Sequence, residues 1–183
     1  MDKPTLQGEM IVLRPIRSSD ADAMWEMRGD AEGNRLTGTT ATFTREEIDA
    51  WCASRATAQG RYDFAVTVEG DDDTFRGEIV LNEVDEIVGS ANLRMAMGPQ
   101  YRGRGYGTEA IQLVLGLAFD GLGLHRVELD VLSINARAKS LYENVGFRVE
   151  GRKRDAYRDG DGWCDAIIMA ILEDEYRAAQ IPS

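Results

Sequence analysis

The stretch Arg102-Gly103-Arg104-Gly105-Tyr106-Gly107 carries the most legible chemistry of the 183 residues. An apolar, strand-like lead-in, Met95-Ala96-Met97, runs into it and ends at Gly98-Pro99. A helical pattern follows at once through Thr108, with Ile111, Val114, Leu115, Ala118 and Leu122 on one stripe. Strand, glycine loop and helix start together make an anion site. Glycines let backbone N–H groups approach a ligand closely, and the helix N-terminus aims unpaired donors and a partial positive charge at it. The spacing is not Gly-x-Gly-x-x-Gly, and no Gly-Lys-Ser/Thr follows. A dinucleotide fingerprint and a nucleotide P-loop are therefore both excluded. A tight turn into a helix is the plainer alternative. The two arginines and the immediate helix point to phosphate.

The elements that must hold this loop follow from periodicity. Met10–Leu13 reads as a strand, and Ser18-Ser19-Asp20 as the cap of a helix ending near Gly29. Residues 30–42, rich in Gly and Thr, read as a loop. Thr44-Arg45-Glu46-Glu47 has capping-box spacing and opens a second helix to about Gln59. Three strands follow, over Tyr62–Val68, Phe75–Val84 and Ile87–Met97, with turns at residues 69–73 and at Asp85-Glu86. After the loop and its helix, Arg126–Leu132 alternates as a strand, with Val127, Leu129 and Val131 on one face and Glu128 and Asp130 on the other. A short helix over residues 135–145 and a hairpin, Phe147–Lys153 with Trp163–Leu172, complete the order, and a polar tail from Glu173 frays. This order predicts one α/β domain over residues 1–183, with a mixed, mainly antiparallel seven-stranded sheet. The unit from Ile87 to Leu132 demands one parallel pair with a right-handed crossover and puts helices on both faces.

Composition sets limits. Net charge is −11, which makes a nucleic-acid backbone or an anionic membrane a poor partner. Met1-Asp2-Lys3-Pro4 has no basic n-region or apolar h-region, so no signal peptide is expected, and a reducing cytoplasm suits the two cysteines, Cys52 and Cys164. Their spacing makes no metal motif, and His125 is the sole histidine, so no metal centre and no Ser-His-Asp triad is expected.

The glycine loop joined to Asn135-Ala136-Arg137-Ala138-Lys139-Ser140-Leu141-Tyr142-Glu143-Asn144-Val145-Gly146-Phe147 resembles the GNAT superfamily of acetyl-CoA-dependent N-acetyltransferases. Within it the chain is most similar to the branch holding the ribosomal-protein N-terminal (alanine/serine) acetyltransferases. Leu124-His125-Arg126-Val127-Glu128-Leu129 shares that likeness. The resemblance covers nearly the whole chain and implies a splayed parallel pair. It implies that backbone N–H groups from Gly103 to Thr108, with Arg102, Arg104 and Tyr106 in the same loop, hold the coenzyme A pyrophosphate. It further implies that Met95, Ala96 and Met97 pair with the pantetheine arm, that Asn135 contacts the cofactor, and that the Tyr142 hydroxyl lies near its sulfur. Asn144 stands where a lysine is frequent. A homodimer, formed through the hairpin edges, is also what the resemblance suggests.

Acetyl transfer to an amine needs a deprotonated amine, donors for the oxyanion, alignment, and a proton for the leaving thiolate. No cysteine flanks either motif, so direct attack is expected. The backbone N–H near Met97 is the expected oxyanion donor and Tyr142 the expected acid. Asp130 is the first candidate base. Glu128 and Glu83 are weaker ones, and each of these carboxylates has a plain alternative as a solvated charge. Asp30, Glu32, Asp49, Asp159 and Asp161 lie in or near the variable segments. A rim of carboxylates there would concentrate a cation. The expected acceptor is therefore a primary amine on a positively charged molecule, first a protein or peptide N-terminus. A polyamine or aminoglycoside-like amine, or a non-catalytic acyl-CoA-binding module, is the alternative.

Overall fold

The computed structural model describes residues 3–71 and 73–180. They form one eight-stranded sheet in the order β1-β2-β3-β4-β5-β6-β8-β7. The strands are β1 (Leu6–Gln7), β2 (Ile11–Pro15), β3 (Tyr62–Val68), β4 (Gly77–Asp85), β5 (Ser90–Met97), β6 (Arg126–Leu132), β7 (Arg148–Asp159) and β8 (Gly162–Leu172). Seven were expected; the eighth is the two-residue β1, too short to show a period, which pairs Leu6 with Leu13.

Every neighbouring pair is antiparallel except β5 and β6. That parallel register holds only for Ser90–Arg126, Ala91–Val127 and Asn92–Glu128. Beyond it the strands separate. β5 stays paired with β4 out to Met97, and β6 stays paired with β8 out to Leu132. A wedge therefore opens at the carboxyl ends of the parallel pair.

The two sheet faces carry different cores. α4 (Tyr106–Gly116) and α5 (Ala136–Val145) lie on the face formed by Ile79, Leu81, Leu93, Val127, Leu129 and Val131, all buried. α1 (Ala21–Arg28) and α3 (Arg45–Ser54) cover the other face through Met24, Ile48, Cys52, Ala65 and Phe75. Strand alternation assigns Glu78, Arg94, Ala96 and Asp130 to this second face.

Local signals explain most boundaries. The Thr44 side chain accepts from Glu47 N while Glu47 accepts from Thr44 N at 2.7 Å, the reciprocal box that starts α3. That helix ends at Ser54, short of Gln59. Gly146 ends α5 in the left-handed region at φ 118°. Asp20 departs from its expected role. Its carboxylate is buried, accepts from Arg14 at 2.7 and 2.8 Å and from Arg17 N, and does not cap α1.

Two further expectations are corrected. Residues 30–42 are not all loop, because α2 spans Ala31–Thr37. The tail does not fray, because α6 spans Glu173–Gln180 and docks Tyr176 against Phe119 at 5.0 Å. The hairpin strands β7 and β8 are also longer than expected. Among the described residues no helix is long and apolar enough to cross a membrane.

Candidate active site

A cavity of about 800 Å³ passes through the wedge between β5 and β6. One side is lined by Met95, Met97, Gly103, Gly105, Gly107, Thr108, Leu141 and Tyr142, and the other by Arg28, Glu78, Arg94 and Asp130. α2 supplies part of the wall through Gly33, Asn34, Leu36 and Thr37.

The glycine loop needs its glycines for separate reasons. Gly103 and Gly105 sit at φ 75° and 85°, where a side chain is strained. A Cβ on Gly103 would lie 2.5 Å from Arg137 Nη2, and one on Gly107 would lie 3.1 Å from the Met95 methyl. The loop thus brings backbone close to a guanidinium and to the end of β5. Gly105 is the N-cap of α4 with no side-chain acceptor over the first turn. The free N–H groups at that helix start, the positive-φ glycines and the unpaired β5 edge fit a ligand with a pyrophosphate and an amide-bearing arm.

The side chains of the loop behave differently. Arg102 turns inward, donating from Nε to Met97 O at 3.1 Å and from Nη2 to Asp30 at 2.5 Å. It ties the loop to the end of β5 and to the segment before α2. Arg104 and Tyr106 do not line the cavity, and Tyr106 packs against the core. Glu109, in the first turn of α4, accepts from Met10 N and Ile11 N at 3.0 Å each and anchors the start of β2.

Asn135 caps α5, accepting from Ala138 N at 3.2 Å and donating to Leu36 O at 3.3 Å, so it joins α5 to α2 at the cavity wall. Tyr142 follows two turns later and is 7% exposed. Its ring meets Phe147 edge-on at 5.7 Å, and its hydroxyl has no hydrogen-bond partner among the described residues. Burial pushes the phenol up to about 12.

The three carboxylates considered as a base are not brought together. Asp130 lines the cavity, with Lys153 Nζ 3.5 Å away. Glu128 is paired with Arg126 at 2.8 Å outside it. Glu83 is exposed in the bulge of β4, at φ 53°. The expected acidic rim is also altered. Asp30 is paired with Arg102, Glu32 and Asp159 with Arg35, and Asp49 with Arg45. Of the five, only Asp30 lines the cavity.

Sequence reasoning missed Glu78, Arg28, Arg94 and Arg137. Glu78 is 8% exposed and lines the cavity, and Arg28 Nη2 donates to its Oε1 at 2.9 Å. Burial pushes its carboxyl upward, against the pull of Arg28 and Arg94. The available signal was a charge inside an otherwise apolar strand, Gly77-Glu78-Ile79-Val80-Leu81. Both cysteines are buried and neither lines the cavity; burial pushes the Cys52 thiol up to about 11. The described residues hold no group of three or more metal-binding side chains.

Residues 10–148 match the family described as an acetyltransferase (GNAT) domain. The chain belongs to the GNAT acetyltransferase family. Its members use acetyl-CoA as acyl donor. An N-acetyltransferase of Bacillus licheniformis called p20 is 26% identical over 184 residues, covering 94% of this chain and 98% of its own. A spermidine N(1)-acetyltransferase of Escherichia coli strain K12 is 28% identical over 168 residues, covering 92% and 89%. The crystal structure of a GNAT-family acetyltransferase from Bacillus anthracis superposes with a TM-score of 0.82 at 25% identity, covering 94% of this chain and all of that one.

Proposed function

We propose that this acetyltransferase moves the acetyl group by direct attack onto the α-amine of a peptide or protein N-terminus. The observation that carries the proposal is the cavity through the β5–β6 wedge. It joins the glycine loop and Tyr142 on one sheet face to Glu78 and Asp130 on the other. Donor and acceptor can then meet end to end from opposite faces, with reacting atoms aligned.

Each part has a task. The backbone from Gly103 to Thr108 and the Arg137 guanidinium beside it hold phosphate. The open edge of β5 at Met95, Ala96 and Met97 pairs with the amide-bearing arm and offers an N–H to the developing oxyanion. Asn135 fixes the wall that α5 and α2 share. Asp130 takes the proton of the amine, and the Tyr142 hydroxyl donates to the departing sulfur. An α-amine near pKa 7.7 needs far less help than an alkylamine near 10.4, which suits an exposed carboxylate as base. Self-association through the outer strand β7 is part of the same reading, and a monomeric mass at micromolar concentration would end it.

The second reading, a polyamine acceptor, is favoured by the likeness to the spermidine N(1)-acetyltransferase. The pairing of Asp30, Glu32, Asp49 and Asp159 with arginines weighs against it. Thiol release from acetyl-CoA, measured with peptides and with spermidine at equal concentration, decides the matter. Release that depends on the peptide supports the proposal. Release with spermidine alone replaces it, and tight coenzyme A binding without amine-dependent release leaves a binding module.

A further inference from the structure

The acceptor end of the cavity holds an incompletely bonded ion pair. Arg28 Nη2 and Glu78 Oε1 are joined at 2.9 Å, yet Arg28 Nε and Glu78 Oε2 are both buried and have no hydrogen-bond partner. Buried charged groups with free bonding capacity are costly and call for a partner. Arg94 lies on the same sheet face and lines the same cavity, and its side chain makes no hydrogen bond or ion pair among the described residues. Asp30 adds little charge, because Arg102 neutralises it. The acceptor end thus offers two guanidinium groups beside the carboxylates of Glu78 and of Asp130, the latter with Lys153 Nζ 3.5 Å away. Such a surface is divided in sign.

A polyamine brings only ammonium groups and would place them against Arg28 and Arg94. A molecule with an ammonium next to a carbonyl or carboxylate satisfies both signs. We propose that Glu78, Arg28 and Arg94 read the acceptor, with Glu78 taking the ammonium and the two arginines taking the neighbouring oxygen. The acceptor class is then an α-amino acid or a peptide N-terminus, selected by the group beside its amine. This inference rests on the acetyl-transfer reading of the cavity and adds specificity residues to it.

The test measures binding as well as turnover. The full chain, saturated with coenzyme A, is titrated calorimetrically with a seryl-alanine peptide amide, free L-serine, n-butylamine and spermidine. Either α-amino compound is expected to bind at least tenfold more tightly than n-butylamine, the size expected of one charge-assisted hydrogen bond. Tighter binding of the peptide amide names a peptide as the source, and tighter binding of serine names a free amino acid. Arg94→Met is expected to shrink that preference to within threefold. Glu78→Gln is expected to weaken both α-amino compounds by tenfold or more. Arg94 is exposed, so its variant keeps the test decisive if Glu78→Gln does not fold. Spermidine binding as tightly as the peptide, or α-amine affinities unmoved by Arg94→Met, overturns the inference. Affinities that shift as expected without any thiol release sink the acetyl-transfer reading and leave this one standing.

Discussion

Tyr142→Phe removes one oxygen that the fold does not use. The ring is 7% exposed and keeps its edge contact with Phe147 at 5.7 Å. The hydroxyl has no protein partner among the described residues, so its loss strands no donor or acceptor. Stability should change by less than about 1 kcal/mol, and Tm by a few degrees at most. The catalytic loss should be larger. If the hydroxyl serves the departing sulfur, the variant forfeits one hydrogen bond to a charged group, about 1.5–3 kcal/mol. That is roughly 10- to 150-fold in kcat. The raised pKa, about 12, also defines the role. A thiol near 8.5 lies some 3.5 units lower, so full transfer to the thiolate would be uphill by about 5 kcal/mol. In that role the phenol donates a hydrogen bond as the carbon–sulfur bond breaks and keeps its own proton, and the released thiolate takes its proton from solvent. Its titration puts no alkaline limb on kcat below pH 10.

The same shift has a stability consequence with a definite sign. The folded state holds the phenolic proton up to about pH 12, and the unfolded chain loses it near 10. Stability is fully present below pH 10 and is lost as pH rises from 10 through 12. Tyr142→Phe should abolish that part of the alkaline loss. The assay is thiol release at saturating acetyl-CoA and amine from pH 6 to 10, with Tm measured beside it. A kcat within threefold of the parent, or an alkaline limb below pH 10 that vanishes in the variant, would refute the assignment.

Three further perturbations probe the rest of the site. Gly105→Val forces a branched side chain into φ 85° with its Cβ 3.3 Å from the Met10 methyl, and should weaken coenzyme A binding at least tenfold by calorimetry; normal affinity in a folded variant would remove the loop from phosphate binding. Glu109→Gln replaces the carboxylate that accepts from Met10 N and Ile11 N, and should cost about 1–3 kcal/mol, seen as a drop in Tm, with kcat retained; an unchanged Tm would mean that β2 needs no such anchor. Asp130→Asn should lower kcat/KM by tenfold or more at pH 7 and by less at pH 9, where more of an α-amine is already neutral; a uniform loss across pH would assign Asp130 to binding in place of proton removal.

Much of this was readable because some segments carry their own instructions. β3 and β6 were bounded to the residue: in β6 the apolar alternation matches burial of one face, and β3 is a short run buried on both. The Thr44 box and the αL glycine at 146 are local devices that act alike in any context. α2 was not readable, because Gly33, Thr37 and Gly38 argue against a helix. Tertiary contacts hold it: Asn34 donates to Arg28 O at 2.8 Å, Arg35 pairs twice with Asp159, and Gly38 lies against the Tyr157 ring. α6 likewise depends on Tyr176 reaching Phe119 and Asp120. Asp30 and Arg102 were each legible as charges, but their pairing joins residues 72 positions apart. That pairing ties one carboxylate of the expected acidic rim to one arginine of the glycine loop.

Glu78 shows why the acceptor end stayed hidden while the donor end did not. The donor end is built from backbone, and the glycines that free a backbone are visible in sequence. The acceptor end is built from side chains on a strand face whose meaning depends on what covers it. Without α1 and α3, Glu78 would be an ordinary solvated charge. With Met24, Ile48 and Phe75 packed on that face, it becomes a buried carboxylate held by Arg28. The wedge has the same origin. β5 keeps its antiparallel ladder with β4 and β6 keeps its own with β8, so the parallel pair lasts three residues and then parts. No residue in the gap makes it; the outer pairings do. The passage between the two sheet faces is therefore a property of strand order, and point substitutions inside it should alter rate or specificity without closing it.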